Sequence, residues 1–211
     1  AVVTVVDNLA PTVNCKNATV YLSAGGTAAA GYPDVYQGGS DNCGTVNPEY
    51  ISQTVFGCSH LGTNTVTVTA NDSHGNTGTC NAVVTVVDNL APTVVCKNKT
   101  ISLNAGGTVN ILTSDVYQSG SDNCGLVNQV SVLPNVFDCN NLGVNPVTLT
   151  VNDGQGNNAT CTATITVEDL LAPVMLCKAV TLPLNAAGQA ILTPAQVNNG
   201  SYDNCAISVL S

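Results

Sequence analysis

Tryptophan is absent from this 211-residue chain, which holds only two phenylalanines and six tyrosines. A core must therefore be built from Val, Leu, Ile and Ala, and ring faces for stacking on sugars or bases are scarce. Charge is scarce too. Asp, Glu, Lys and Arg make up 8% of the residues, against about 25% in ordinary soluble domains. Four Lys+Arg against 13 Asp+Glu leave a net charge of −9. So few cations cannot neutralise a run of phosphates or hold an anionic membrane surface, which excludes nucleic acid as a partner. No apolar run reaches the roughly 18 residues that a spanning helix needs. No Cys-x-x-Cys pair, Gly-x-Ser-x-Gly elbow or phosphate-cradling loop occurs, and the AGG runs at Ala24 and Ala105 lack the Lys-Ser/Thr of a P-loop. The two histidines, His60 and His74, correspond to Asn141 and Gln155 in the repeat described next. They read as exposed loop residues, and no enzymatic activity is expected.

What the chain does have is ten cysteines and a repeat. DNLAPTVNCKN from Asp7 returns as DNLAPTVVCKN from Asp88 and, more loosely, as DLLAPVMLCKA from Asp169, each step being 81 residues. The cysteines keep the same step. Cys15, Cys96 and Cys177 form one class and Cys43, Cys124 and Cys205 a second. Cys58 and Cys139 form a third, and Cys80 and Cys161 a fourth. SDNCG at Ser40 and Ser121 and the N-D-x-x-G-N loops at Asn71 and Asn152 follow suit. The expected organisation is the last strand of a preceding repeat over 1–9, full repeats over 10–90 and 91–171, and the first half of a further repeat over 172–211. A chain that opens and closes in mid-pattern reads as a window on a longer array.

Each copy reads as about seven short strands separated by turn clusters, hence as an all-β, tandem immunoglobulin-like β-sandwich. In TNTVTVTAND, Val66, Val68 and Ala70 alternate with Thr65, Thr67 and Thr69, and the following NAVVTVVD completes a hairpin. A helical turn is expected only near SDVYQSG. Cysteines at this density, without metal-ligand spacing, point to disulfides and an oxidising compartment. Four cysteines allow three pairings. Because the first and last strands of a sandwich lie side by side, Cys15–Cys80 and Cys96–Cys161 are expected, with Cys43–Cys58 and Cys124–Cys139 closing short loops. Cys177 and Cys205 would then find their partners beyond the segment.

The run DNLAPT–Cys, then DNCG, then VTVTANDSHGNTGTCNAVVTVVD resembles the hyaline-repeat (HYR) family of immunoglobulin-like modules. It looks most like the four-cysteine version in very long surface adhesins of Bacteroidetes. The resemblance implies an extracellular, tandemly repeated module for adhesion or for a stalk, without catalysis. Neighbouring repeats, and like chains in a filament, are the implied partners.

Oxygen-rich loops supply the remaining candidates. Asp72 and Asp153 sit in the N-D-x-x-G-N loops, and Asp7, Asp88 and Asp169 at the repeat boundaries. Hard oxygen ligands of this kind suit Ca²⁺, while Asx-turns are the alternative use of the same residues. The DNC turns add Asp41, Asp122 and Asp203. Segments that differ between copies, Asn47–Gln53 and Asn128–Asn135, are candidate contacts for a surface glycan or protein ligand. Sequons at Asn17, Asn71, Asn98, Asn158 and Asn199 permit surface glycosylation. A spacer within a larger secreted enzyme is a further reading of such an array.

Overall fold

A computed structural model of the chain describes residues 1–207. The first copy contains β1 (Thr12–Cys15), β2 (Ala18–Tyr21), β3 (Thr27–Ala29), β4 (Tyr36–Ser40), β5 (Asn47–Ile51), β6 (Val55–Gly57), β7 (Gly62–Asn71) and β8 (Thr77–Val87). The second repeats it as β9 (Thr93–Cys96), β10 (Lys99–Ser102), β11 (Thr108–Asn110), β12 (Tyr117–Ser121), β13 (Asn128–Leu133), β14 (Val136–Asp138), β15 (Gly143–Asn152) and β16 (Asn158–Glu168). One-turn helices α1 (Tyr32–Val35) and α2 (Thr113–Val116) precede β4 and β12, the latter within the expected SDVYQSG region. No helix among the described residues is long and apolar enough to cross a membrane.

In each copy a four-stranded sheet, β2-β8-β7-β5 or β10-β16-β15-β13, is accompanied by two two-stranded ribbons, β1-β4 with β3-β6 or β9-β12 with β11-β14. The β7–β8 hairpin is antiparallel, with Val66 opposite Ala82 and Val68 opposite Cys80. β2 runs parallel to β8, Ala18 opposite Val84. The chain therefore changes sheets between Cys15 and Ala18, as the entering strand of an immunoglobulin-like sandwich does. The alternation read from the sequence decides which face is buried. Val66, Val68 and Ala70 are fully buried, while Thr65, Thr67 and Thr69 lie outward. Leu22, Val35, Phe56, Val84 and Val86 complete that core. Leu103, Val116, Phe137, Ile165 and Val167 are the buried counterparts one period later. Both phenylalanines of the chain are core residues, and Val and Ile with some Leu and Ala fill the rest, the β-branched side chains suiting a pleated buried surface.

By contacts the chain divides into two compact units. Unit 1 comprises Ala1–Thr93, Gly120–Asn128 and Asn152–Ala159; unit 2 comprises Val94–Ser119, Gln129–Val151 and Thr160–Ser211. The DNCG and N-D-G-Q-G-N loops that the period assigns to the second copy thus belong to unit 1.

The two ends differ from expectation. Residues 1–9 form no strand, and Val2, Val3 and Val5 are exposed. By period this segment matches the end of β8. Over 172–207 the structure holds one-turn helix α3 (Pro194–Val197) and two isolated bridges, Val174–Tyr202 and Cys177–Asn198. These are the period equivalents of the β1–β4 pairs Thr12–Ser40 and Cys15–Tyr36. No strand is assigned among the described residues of this stretch.

Candidate functional site

The disulfides form two classes. Cys15 on β1 joins Cys80 on β8, and Cys96 joins Cys161, with Cα–Cα distances of 5.7 and 5.8 Å. Each ties a two-stranded ribbon to the four-stranded sheet, as expected for adjacent entering and leaving strands. The short-loop pairings do not occur. Cys58 is bonded to Cys124 and Cys139 to Cys205, each 66 residues apart in sequence. Cys205, expected to be unpaired within the chain, is thus bonded, and Cys43 and Cys177 are free and exposed.

Strand placement explains the correction. Cys43 follows β4, which pairs with β1, whereas Cys58 follows β6, which pairs with β3. The two cysteines close in sequence are therefore delivered by different ribbons. The β3–β6 ribbon instead sets Cys58 beside the Gly25-Gly26 turn, where the D-N-C turn around Cys124 arrives. Gly26 has φ +70°, and a Cβ there would lie 2.6 Å from the Asn123 carbonyl oxygen and 3.2 Å from Cys58 Sγ. Gly107 has φ +71° and the same relation to Asn204 and Cys139, at 2.6 and 3.1 Å. The AGG run is a strand-ending turn as expected, and its second glycine also makes room for the incoming turn.

Each D-N-C turn is clasped to a repeat-boundary aspartate. Asn123 Nδ2 donates to Asp88 Oδ1 at 3.1 Å and Asn204 Nδ2 to Asp169 Oδ1 at 3.0 Å. Asn42 does the same to Asp7 at 3.3 Å. The same aspartate oxygens accept from the backbone N–H two residues on, at Leu9, Leu90 and Leu171. Asn123 Nδ2 also donates to the Ser23 carbonyl, and Asn204 Nδ2 to the Asn104 carbonyl. The turn closes on itself through Asp122, whose Oδ2 accepts from Cys124 N at 3.0 Å.

Four of the five aspartates expected to serve Ca²⁺ separate into two kinds; the fifth, Asp169, is half-buried, and its Oδ1 accepts from Leu171 N and Asn204 Nδ2. Asp72 is fully buried and saturated: Oδ1 accepts from the N–H groups of His74 and Asn76, and Oδ2 from Asn76 Nδ2 at 2.6 Å. Asp153 repeats this with Gln155 and Asn157. Burial opposes ionisation at both, but the hydrogen bonds from the Asn side chain and backbone outweigh it and hold each carboxyl below its usual range. These two are Asx-turn anchors. Asn76 and Asn157 also donate to the Asp7 and Asp88 carbonyls, so each loop holds a repeat boundary as well. At that boundary the other kind is found. Asp7 Oδ2 and Asp88 Oδ2 are buried with no hydrogen-bond partner, as are Asp122 Oδ1, Asn123 Oδ1, Asp203 Oδ1 and Asn204 Oδ1.

His74 is an exposed loop residue beside Asp7 and Asp72, as expected, whereas His60 is half-buried in the single turn Cys58–His60, where its Nδ1 accepts from Gly57 N and its ring meets Phe56 edge-on. Two functional asparagines stood in the sequence only as sequons. Asn17 Oδ1 accepts from Val83 N and Asn98 Oδ1 from Thr164 N, both at 2.9 Å, clamping β8 and β16. Their recurrence directly after Cys-Lys was the available signal. The variable segments are not free loops: β5 and β13 are edge strands of their sheets. Pro48 and a bulge blunt the first, whereas Val130 and Leu133 stand exposed on the second.

No family model matches the chain. In sequence it is 34% identical over 180 residues to hyalin of the sea urchin Strongylocentrotus purpuratus, a match covering 82% of this chain and 15% of that protein. The chain is thus similar in sequence to a stretch of hyalin. It spans well under two thirds of the length of the curated relative it matches. Among solved structures, human mucin-like protocadherin EC1-2 aligns with a TM-score of 0.39 and 14% identity over 75% of this chain and 98% of that chain. Mouse cadherin-23 EC22-24 aligns with a TM-score of 0.40 and 14% identity, over 80% and 70%.

Proposed function

We propose that the chain is a tension-bearing structural module of a long extracellular filament or cell-surface stalk, with adhesion served by its array and not by chemistry on a substrate. The observation that carries this reading is the second disulfide class. Cys58–Cys124 and Cys139–Cys205 join residues of one sequence copy to residues of the next, while Cys15–Cys80 and Cys96–Cys161 close each copy. Two covalent routes therefore run along the repeat. One crosses the sulfurs of Cys15–Cys80, follows the main chain for about 16 residues to Cys96, and crosses to Cys161. The other crosses Cys58–Cys124, follows about 15 residues to Cys139, and crosses to Cys205. Oxidising conditions, and hence an extracellular setting, are what such a scheme requires. The hyalin likeness and the resemblance to long Bacteroidetes surface adhesins support the same role, with neighbouring copies and like chains as partners.

The test is extension of single molecules between the two ends. An unfolded 81-residue copy can reach roughly 280 Å when reduced, at about 3.5 Å per residue. With its disulfides intact it can reach only roughly 60 Å, because a connector of about 16 residues is all that pulls straight. Oxidised molecules that lengthen by the larger step would sink the proposal.

A further inference from the structure

We propose that the open edge of β13 docks the β13 of a second copy of this chain, the two strands pairing antiparallel about a two-fold axis so that like chains associate side by side. Such association rests on the reading of like chains as partners, and the tension-bearing role does not depend on it.

Among the described residues β13 has β15 as its one strand neighbour, so a row of its N–H and C=O groups faces outward unpaired. Gln129–Leu133, within unit 2, carries neither proline nor charge. The first copy treats the same edge differently. Pro48 removes a donor, Glu49 adds a charge, and a bulge falls between Pro48 and Tyr50. Exposed apolar side chains surround the bare edge of unit 2: Leu112 is 69% exposed, Leu133 63%, Val136 55% and Val130 52%. One period earlier their places are taken by Gly31, Ser52, Val55 and Glu49, of which only Val55 is a large apolar residue. A cleft of about 420 Å³, lined by Ile111, Leu112, Val130, Leu133 and Asn135, adjoins the strand.

What fits such an edge is a strand, because a row of backbone donors and acceptors is satisfied by another row of the same spacing. That strand must be uncharged and partly apolar to cover Val130 and Leu133 without burying a lone charge. β13 is itself such a strand. From Asn123 to Phe137 no residue is charged. Asp115, which follows the cleft residue Ser114, is paired with Lys99 at 2.6 Å. Copies of a chain with net charge −9 repel one another over most of their surface, and an uncharged edge is where they approach at least cost. An antiparallel pair of identical strands is self-complementary and closes at two copies. The six residues of β13 with Leu112 and Val136 make about eight a side, against roughly 20–30 in a standard-size interface. One such contact is therefore weak, and an array of copies multiplies it.

The experiment is sedimentation velocity of the oxidised chain from about 10 µM to about 1 mM, in a C43S/C177S background so that no free thiol links two chains. A Kd of about 10⁻⁴ M, in keeping with a small transient contact, puts roughly one chain in seven in dimers at the lower concentration and about four in five at the higher. Raising NaCl from about 0.05 to about 0.5 M should tighten the dimer, because it screens the repulsion of net charge and the contact holds no ion pair. V130K/L133K should weaken it by roughly tenfold or more, although the added lysines lower the net negative charge. V130T/L133T, which keeps the strand and trims its apolar surface, should weaken it by roughly threefold. V55K, at the counterpart of Val136 in the first copy, should leave it unchanged. Circular dichroism and the disulfide map check that each variant is folded. A chain still monomeric at about 1 mM overturns the proposal and leaves the edge to another protein's strand or a glycan. Dimers undiminished in both β13 variants overturn it as well. Extension is measured on single molecules with no second chain present, so neither result bears on the tension-bearing role.

Discussion

Removing the Cys58–Cys124 bridge with the pair C58S/C124S is the most direct probe of the cross-copy staple. The bridge closes a 66-residue loop. Loop-closure entropy for that length is about 4.3 kcal/mol at 25 °C. For a chain of this size that corresponds to a fall in Tm of roughly 9–17 °C. The C43S variant should behave like wild type within about 0.5 kcal/mol, because Cys43 is exposed and unbonded. Chemical denaturation of the three proteins, with peptide mapping under non-reducing conditions, provides the readout. Peptides carrying Cys58 should be recovered joined to those carrying Cys124. If C43S destabilises the chain as much as C58S/C124S, and Cys43 is recovered joined to Cys58 in the wild type, the strand-placement argument is wrong.

Other outcomes follow from the same geometry. Alkylation of the folded, oxidised protein should add two groups, at Cys43 and Cys177, as read by intact mass; labelling of any third cysteine contradicts the pairing. Gly26→Ala puts a Cβ 2.6 Å from a carbonyl at φ +70°. It should cost about 1–3 kcal/mol and raise the fraction of unpaired Cys58 seen by thiol titration. Phe56→Ala should cost about 3–5 kcal/mol in denaturant unfolding, since Phe56 is fully buried at the centre of its core. The Asp72 and Asp153 carboxyls are depressed below 3.8 in the folded state. Their contribution to stability is therefore full above the ordinary Asp pKa and is lost as pH falls through the lower folded value. Unfolding monitored by circular dichroism should show stability declining below about pH 4, and D72N/D153N should flatten that decline.

Much of the fold was legible because its signals are local or periodic. Alternation at Thr65–Ala70 marks which face of β7 is buried, and the 81-residue step carries the whole core from Phe56 to Phe137. The entering and leaving strands placed Cys15 beside Cys80. The partner of Cys58 was not legible, for a reason of symmetry. Cys43–Cys58 and Cys58–Cys124 both recur under the same 81-residue step, so periodicity cannot say whether a pair closes within a copy or across to the next. The difference lies in which ribbons carry the cysteines, and that is set by pairing at long range. The aspartates show a similar limit. Asp72 and Asp88 are alike in sequence, yet the N-D-x-x-G-N loop folds two N–H groups and an amide onto Asp72, while Asp88 receives one N–H and one amide on a single oxygen. Ala1–Val6 carries the alternating strand pattern yet forms no strand, because a strand needs long-range pairing that local pattern does not supply.

The four bridges overlap in sequence: 15 to 80, 58 to 124, 96 to 161 and 139 to 205. Every peptide bond from Cys15 to Cys205 therefore lies inside at least one closed ring. A protease that cuts once anywhere in that span severs no fragment from the molecule. Where hydrolases are plentiful and repair is impossible, a chain of this construction outlasts individual cuts, and damage must strike the same stretch repeatedly before it parts.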